Sequence, residues 1–447
     1  MKILGRKRDE VKKSVREGNV TIAVYGLGKM GLPLAAIFAD HGAKVIGVDV
    51  RKEVVEAVNN GENYVKEEPG LDEILRRNVQ AGRLKATTDG VKASKEADVI
   101  VILVPTLADE YELKLEPVYE IAKTISRGLE AGDIVITEST MPPGATESLI
   151  PILEDSGLGI GEFGLAHAPE RTKTGTAIQD ITTNYPKIVG ASDEKTLEAV
   201  VGLYETINKK GCIPMSSIKA AEAVKVFEGV YRDVNIALAN ELALWCEEQG
   251  LNAIETFKAA NTQPYCHLHM PGAGVGGHCI PVYPWFVIRL AKKRYPKLIR
   301  IAREINDSMP KHIVELLIRG LNEVGVAPKG SKVLVLGLTF RGGVKEFTKS
   351  PALEIIKELK DWGVKVYAYD PLCSEEDANK FGAEWKEDFS DLDAVVIATD
   401  HEEFKNLDLK KIAKEMRHRV IIDGRHVLDK KVIDLGFVYL AVGVGKL

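Results

Sequence analysis

From residue 20 onward the chain alternates short apolar runs with longer stretches of helical period. TIAVYG (21–26), KVIGVD (44–49), DVIVILVP (98–105) and DIVITE (133–138) are rich in β-branched and aliphatic residues, and a further strand is predicted over 163–167. GLPLAAIFADHG (31–42) separates the first two and predicts a helix closed by glycine. Continuous apolar strands divided by helices predict a parallel sheet covered on both faces. The middle differs. Residues 217–250 contain no proline and place Val226, Val230, Val234, Ala237 and Leu238 at helical spacing, which predicts one long helix. Another helix ends near Asn322, and residues 263–285, rich in Gly, Pro and His, predict an ordered loop. A second series then begins with KVLVLGL (332–338), SPALEIIKELKDWG (350–363), KVYAYDP (365–371), DAVVIATD (393–400) and HRVIID (418–423).

The expected fold class is therefore α/β, with two Rossmann-like parallel-sheet domains joined by a central helical domain built on one long helix. The expected boundaries are a basic N-terminal extension over 1–19, a first nucleotide-binding domain over 20–212, the helical domain over 213–325 and the second Rossmann-like domain over 326–447. Composition adds exclusions. Apolar residues at 45% and charged residues at 28% rule out a disordered chain. A net charge of −5 supplies no basic surface, so nucleic acid is not an expected partner. No apolar run reaches the ~18 residues of a membrane span. The first 19 residues are basic without the apolar stretch of a secretory signal, so a solvated extra helix and a cytoplasmic location are expected. Five scattered cysteines without a CxxC pair argue against a disulfide framework and a zinc site.

Candidate chemistry begins at Gly26-Leu27-Gly28-Lys29-Met30-Gly31, a GxGxxG that ends a strand and opens a helix. Its glycines serve a tight turn, close approach to a pyrophosphate and close helix–strand packing. Asp49 ends the second strand, where a carboxylate accepts from a ribose diol and repels a 2′-phosphate. This favours NAD, a preference that the nearby Arg51 weakens. Thr106 and Thr140 follow strands and either face the cofactor or serve as turn residues. The loop over 272–279 presents Cys279 beside His278 among glycines, a setting for a reactive thiolate, with an inert buried thiol as the alternative. His267, His269, His278 and Cys279 match no familiar ligand spacing, so no metal is expected. Glu170 follows a strand and either faces a cleft or lies on the surface. Lys225 and Arg232 are seven apart on one face of the long helix, as a solvated charged stripe also places them.

GLGKMGLPLA (26–35), VPT (104–106), ESTMPPG (138–144), APER (168–171), KVFEGVYRDVNIALANEL (225–242), PGAGVGGHCIP (271–281), REINDSMP (303–310) and LGLTFR (336–341) occur in this order. Together they resemble the UDP-glucose/GDP-mannose dehydrogenase family over nearly the whole chain after residue 20. RDVNIALANEL and the GGHC form are most similar to its N-acetylhexosamine branch. The resemblance implies an NAD-dependent four-electron oxidation of UDP-N-acetyl-mannosamine at C6. It implies Cys279 as nucleophile, Glu170 assisting the hydrolytic water, and Lys225 stabilising an oxyanion or moving the C6 proton. Gly26, Gly28, Lys29, Met30, Gly31, Asp49, Thr106 and Thr140 match NAD positions. Arg171, Arg232, Gly276, Phe340 and Arg341 match sugar-nucleotide positions, and the long helix implies a homodimer. Four residues depart from the family pattern: Gly229 for asparagine, Tyr283 for aspartate, and Tyr265 and Thr348 for arginines. They keep open another UDP-sugar, such as UDP-glucose or UDP-N-acetylglucosamine, or a UDP-sugar and NAD binding protein without turnover.

Overall fold

The computed structural model describes residues 1–106, 108–109, 112–429 and 431–445. The chain divides into two compact units, Met1–Phe227 and Glu228–Leu447. The first holds helix α1 (Arg8–Arg16), strand β1 (Thr21–Tyr25), helix α2 (Gly31–Asp40) and strands β2 (Lys44–Val48), β3 (Leu84–Thr87), β4 (Val99–Ile102), β5 (Ile134–Thr137), β6 (Gly164–His167) and β7 (Lys187–Ala191). Helix α3 (Glu194–Tyr204) and strand β8 (Cys212–Pro214) complete it. The sheet order is β3-β2-β1-β4-β5-β6-β7-β8. β1 lies parallel between β2 and β4, with Val24 opposite Gly47 and Val101. Ile22, Val24, Val99, Val101, Ile134 and Ile136 are fully buried, as a doubly covered sheet requires. Sequence pattern predicts a wholly parallel sheet, whereas β6 and β7 pair antiparallel. Only short helical turns lie between them (Ala177–Gln179 and Asp180–Asn184), in place of the full helix that usually makes a parallel crossover.

The N-terminal segment forms the expected helix, but it is not solvated. Ile3, Val11 and Val15 are fully buried. Its basic residues meet acids on and just past α3, with Arg8 on Glu198 at 2.6 Å and Lys12 on Glu205 at 2.5 Å. Gly202 lets the two helices touch, since a Cβ there would stand 2.8 Å from the Arg8 Cα.

Helix α4 (Ile218–Gln249) matches the predicted span 217–250 almost residue for residue. Ser217 Oγ accepts from the Ala220 N–H at its start, and Gly250, left-handed at φ 69°, closes it. The helix runs across the boundary between the units. In the second unit follow α5 (Tyr283–Leu290), α6 (Lys297–Glu323), β9 (Lys332–Leu336), α7 (Pro351–Asp361), β10 (Lys365–Tyr369), β11 (Glu384–Trp385), β12 (Ala394–Ile397), β13 (Val420–Asp423) and β14 (Val438–Ala441). The loop predicted over 263–285 ends early, because Tyr283 already begins α5. Pro284 is tolerated there, where a helix has no use for its N–H. The second sheet, β11-β10-β9-β12-β13-β14, is parallel throughout, with α6 lying on it through Ile313, Leu317 and Leu321. Both sheets carry the 3-2-1-4 order that opens a crevice between strands 1 and 4, where such folds bind ligands.

Candidate active site

In the first unit the three glycines of the 26–31 turn differ in what surrounds them. Gly26 holds φ 93°, and a Cβ there would overlap the Leu103 carbonyl. A Cβ on Gly31 would overlap the Gly26 carbonyl. A Cβ on Gly28 would meet no atom of the described residues within 4 Å, which leaves space beside it for a ligand. That cradle, at the N-terminus of α2, fits a dinucleotide pyrophosphate. Asp49 accepts from the Leu27 N–H at 3.1 Å and from the Arg51 N–H and Nε at 3.0 and 3.2 Å. Burial opposes its charge, but these donors outweigh burial and hold its carboxyl below the usual range, so it remains an acceptor. Arg51 is engaged with Asp49 itself. Lys29 pairs with Glu67 at 2.7 Å, and Met30 Sδ accepts from the Thr172 hydroxyl. Thr106 Oγ1 donates to the Thr140 carbonyl at 3.0 Å, which brings these two predicted positions together at the strand ends. Ser139 pins the same junction, accepting from the Val104 N–H and donating to the Val104 carbonyl, both at 2.9 Å.

Glu170 leaves the end of β6 and meets Lys225 of α4 at 3.5 Å, both side chains being largely buried. Its carboxylate also accepts from the Thr172 N–H. Arg171 turns to other work, donating to the Pro186 carbonyl at 2.6 Å and lying over the Tyr185 ring at 4.8 Å. Behind Glu170 stands a buried polar layer that sequence reading missed. Glu138 pairs with Lys187 at 2.7 Å and accepts from the Tyr204 hydroxyl. Glu222 of α4 accepts from the Thr146 N–H at 2.7 Å and so holds the 140–146 turn. His167 lies 2.8 Å from Thr137 Oγ1 and is only 1% exposed. Burial, with Lys187 and Lys225 nearby, pushes its pKa down to about 3.

The sign of the resulting pH dependence follows from linkage. The unfolded chain protonates this imidazole near 6.5, while the folded one does so only near 3. The unfolding free energy of the first unit is therefore expected to fall by about 1.4 kcal/mol per pH unit below 6.5 from this group alone. Urea unfolding at pH 7 and pH 5 measures it. His167→Gln should flatten that part of the slope, and an unchanged slope would refute the assignment.

In the second unit Cys279 is exposed. It lines a cleft of about 570 Å³ together with Arg232, Gly276, Phe340, Arg341 and Arg425. The predicted positions from 232 to 341 are thus gathered in one place. Gly276 is required there: a Cβ would press on Phe340 Cβ and stand 2.7 Å from the Lys349 carbonyl. The Gly277 N–H donates to the Thr348 carbonyl at 2.8 Å, so Thr348 fastens the glycine loop. Arg341 stacks by Phe340 at 5.8 Å, and its buried Nε has no partner among the described residues, as befits a donor kept for an anion. His278, the sequence neighbour of the thiol, is paired with an acid. Its Nε2 pairs with Glu346 at 2.5 Å, and that carboxylate raises the imidazole pKa, so its charge is engaged there. Tyr265 is 89% exposed.

Asp370 occupies in this sheet the place that Asp49 holds in the first, past the end of strand 2. It is fully buried, and its carboxylate accepts from the Leu338 and Thr339 N–H groups at 2.8 and 3.1 Å and pairs with His401 at 3.0 Å. Sealed in this way, it presents nothing to a ribose.

The stem of the glycine loop is braced by polar residues that the sequence motifs contain but do not explain. Asn235 donates to the His267 carbonyl and accepts from the His269 N–H, both at 2.9 Å. Asn240 accepts from the Gly272 N–H at 2.9 Å and donates to Asn306 at 2.9 Å. Asn306 in turn donates to Asp233 at 2.8 Å, and Arg303 pairs with the same carboxylate at 2.5 Å. Asp233, Asn240, Arg303 and Asn306 are all at most 1% exposed. Their one sequence signal is polar residues on inward positions of α4 and α6.

Three models of the UDP-glucose/GDP-mannose dehydrogenase family match: its NAD binding domain over residues 20–208, its central domain over 219–308 and its UDP binding domain over 334–430. A UDP-N-acetyl-D-mannosamine dehydrogenase from Pyrococcus horikoshii is 38% identical, over 95% of this chain and 99% of its own. A solved structure of such an enzyme from the same organism covers 96% of this chain and 100% of its own, at a TM-score of 0.85 and 36% identity. The structure of an NDP-N-acetyl-D-galactosaminuronic acid dehydrogenase from Methanosarcina mazei covers 98% of each chain, at a TM-score of 0.86 and 31% identity.

Proposed function

The chain belongs to the UDP-glucose/GDP-mannose dehydrogenase family, and we propose that it oxidises UDP-N-acetyl-mannosamine at C6 to the uronate through a covalent adduct on Cys279. The observation that carries this reading is the exposed thiol of Cys279 in the cleft shared by Gly276, Phe340, Arg341 and Arg232. The choice of sugar is supported by the 38% identical relative of that name and by the GGHC form around the thiol.

NAD, when bound, accepts a hydride from the sugar carbon. The alcohol first loses a hydride from C6 and the hydroxyl proton, giving an aldehyde. The Cys279 thiolate adds to the carbonyl carbon, and the oxygen takes a proton, giving a thiohemiacetal. A second hydride leaves the same carbon as that oxygen releases its proton, and a thioester results. Water then cleaves the carbon–sulfur bond, releasing the carboxylate and the thiol. Holding the intermediate covalently lets one cofactor leave and a second arrive without losing the aldehyde. Lys225 stabilises the oxyanions of these steps, and Glu170, 3.5 Å from it, takes a proton from the hydrolytic water. Arg341, whose Nε has no partner among the described residues, and Arg232 neutralise the diphosphate. On α4, Tyr231, Leu238 and Trp245 are exposed at intervals of seven residues, which supports a homodimer.

The test counts NADH. Two molecules per sugar consumed, fastest with UDP-N-acetyl-mannosamine in a panel of UDP-sugars, is the expected result. One per sugar with free aldehyde contradicts the thioester. Binding of both ligands without NADH would leave a binding protein in its place. A higher rate with UDP-glucose or UDP-N-acetylglucosamine moves the substrate assignment.

A further inference from the structure

We propose that Tyr283 is the positioning residue for Cys279, seated in a notch of the long helix that only glycine at position 229 leaves open. A Cβ built on Gly229 would fall inside the van der Waals surface of the Tyr283 ring, nearest Cδ2, at 3.1 Å from Cγ and 3.2 Å from Cβ. The ring therefore lies flush on the backbone of α4, and Tyr283 is 5% exposed. Phe286 backs it at a centroid distance of 5.8 Å. A side chain at 229 and a ring at 283 exclude each other, so the two residues form one packing feature.

The wedge bears on the thiol through the backbone. The N–H groups of Val282 and Tyr283 both donate to the Cys279 carbonyl, at 3.1 and 3.0 Å. Seating the ring on α4 thus fixes the turn that carries Cys279. On the other side, the Gly277 N–H holds the loop to the Thr348 carbonyl at 2.8 Å. Cys279 is exposed, and these two anchors flank it in place of side-chain packing. Misplacing a reacting group by about 1 Å can cost ~10²-fold in rate, so the anchor acts on kcat more than on substrate affinity.

The proposal rests on Cys279 as the reacting thiol, and its test has two independent readouts. One is the rate at which iodoacetamide alkylates Cys279, followed by mass spectrometry of its peptide without sugar or NAD. The other is kcat and KM with NAD and the sugar. Tyr283→Phe keeps the wedge and should hold both readouts within about twofold of the native protein. Gly229→Ala and Tyr283→Ala should each lower kcat by ~10-fold or more, leave KM within about threefold, and change the alkylation rate by at least about threefold. The double variant should be no worse than Tyr283→Ala alone, because the clash disappears with the ring. Native alkylation and kcat in Gly229→Ala overturn the proposal, and so does a loss in Tyr283→Phe equal to that in Tyr283→Ala. Should Gly229→Ala fail to fold, recovery of folding in the double variant supports the wedge and its absence overturns it. If the native protein oxidises no UDP-sugar, the proposed function fails, while the alkylation rates still decide the positioning claim.

Discussion

Replacing Cys279 with serine is expected to stop oxidation short of the acid, with uronate formation down by about 10³-fold or more. A hydroxyl is far less ionised than a thiol near neutral pH, so it adds poorly to the aldehyde. An alkoxide also leaves an acyl carbon less readily than a thiolate does. Because Cys279 is exposed, removing its sulfur opens no cavity, and the thermal midpoint and both ligand affinities should stay close to native. The expected signature is at most one NADH per sugar, with aldehyde trapped by a carbonyl reagent. If Cys279→Ser still yields uronate within tenfold of the native rate, the nucleophile lies elsewhere.

The second large effect concerns stability. Arg303→Ala should cost about 3–5 kcal/mol in the second unit, because it leaves the fully buried Asp233 carboxylate without its counter-charge. The loss should spread. Asp233 also anchors Asn306, Asn306 holds Asn240, and Asn240 accepts from the Gly272 N–H at the stem of the glycine loop. Faster proteolysis around residues 267–279 should therefore accompany the drop in urea midpoint. Asp233→Asn combined with Arg303→Leu should recover most of the stability, since breaking a buried pair costs more than replacing both partners. A change below about 1 kcal/mol in Arg303→Ala would show that the pair does not hold this unit together.

Much of the architecture is legible in local pattern. Apolar runs marked the central strands of both sheets to within a few residues, because a strand covered on both faces has no polar alternation to obscure it. The long helix is bounded in sequence by Ser217 and Gly250, which also cap it in the structure. The 26–31 turn is legible because Gly26 and Gly31 each meet a short-range steric demand, while Gly28 leaves the space beside it open. The N-terminal segment misled, since its basic composition suggested water while its acidic partners lie almost 200 residues away, on α3 and just past its end.

What periodicity and motif determined are the features that neighbouring residues set among themselves: the strands, the long helix and the glycine turns. Tertiary packing alone decided which charges meet. It turned His278 toward Glu346, tied Asp233 to Arg303, sealed Asp370 under His401, and fitted the Tyr283 ring against Gly229. Each of these pairings joins residues separated by at least 31 positions, across which backbone preference carries no information and only the shape and dielectric of the packed interior select a partner.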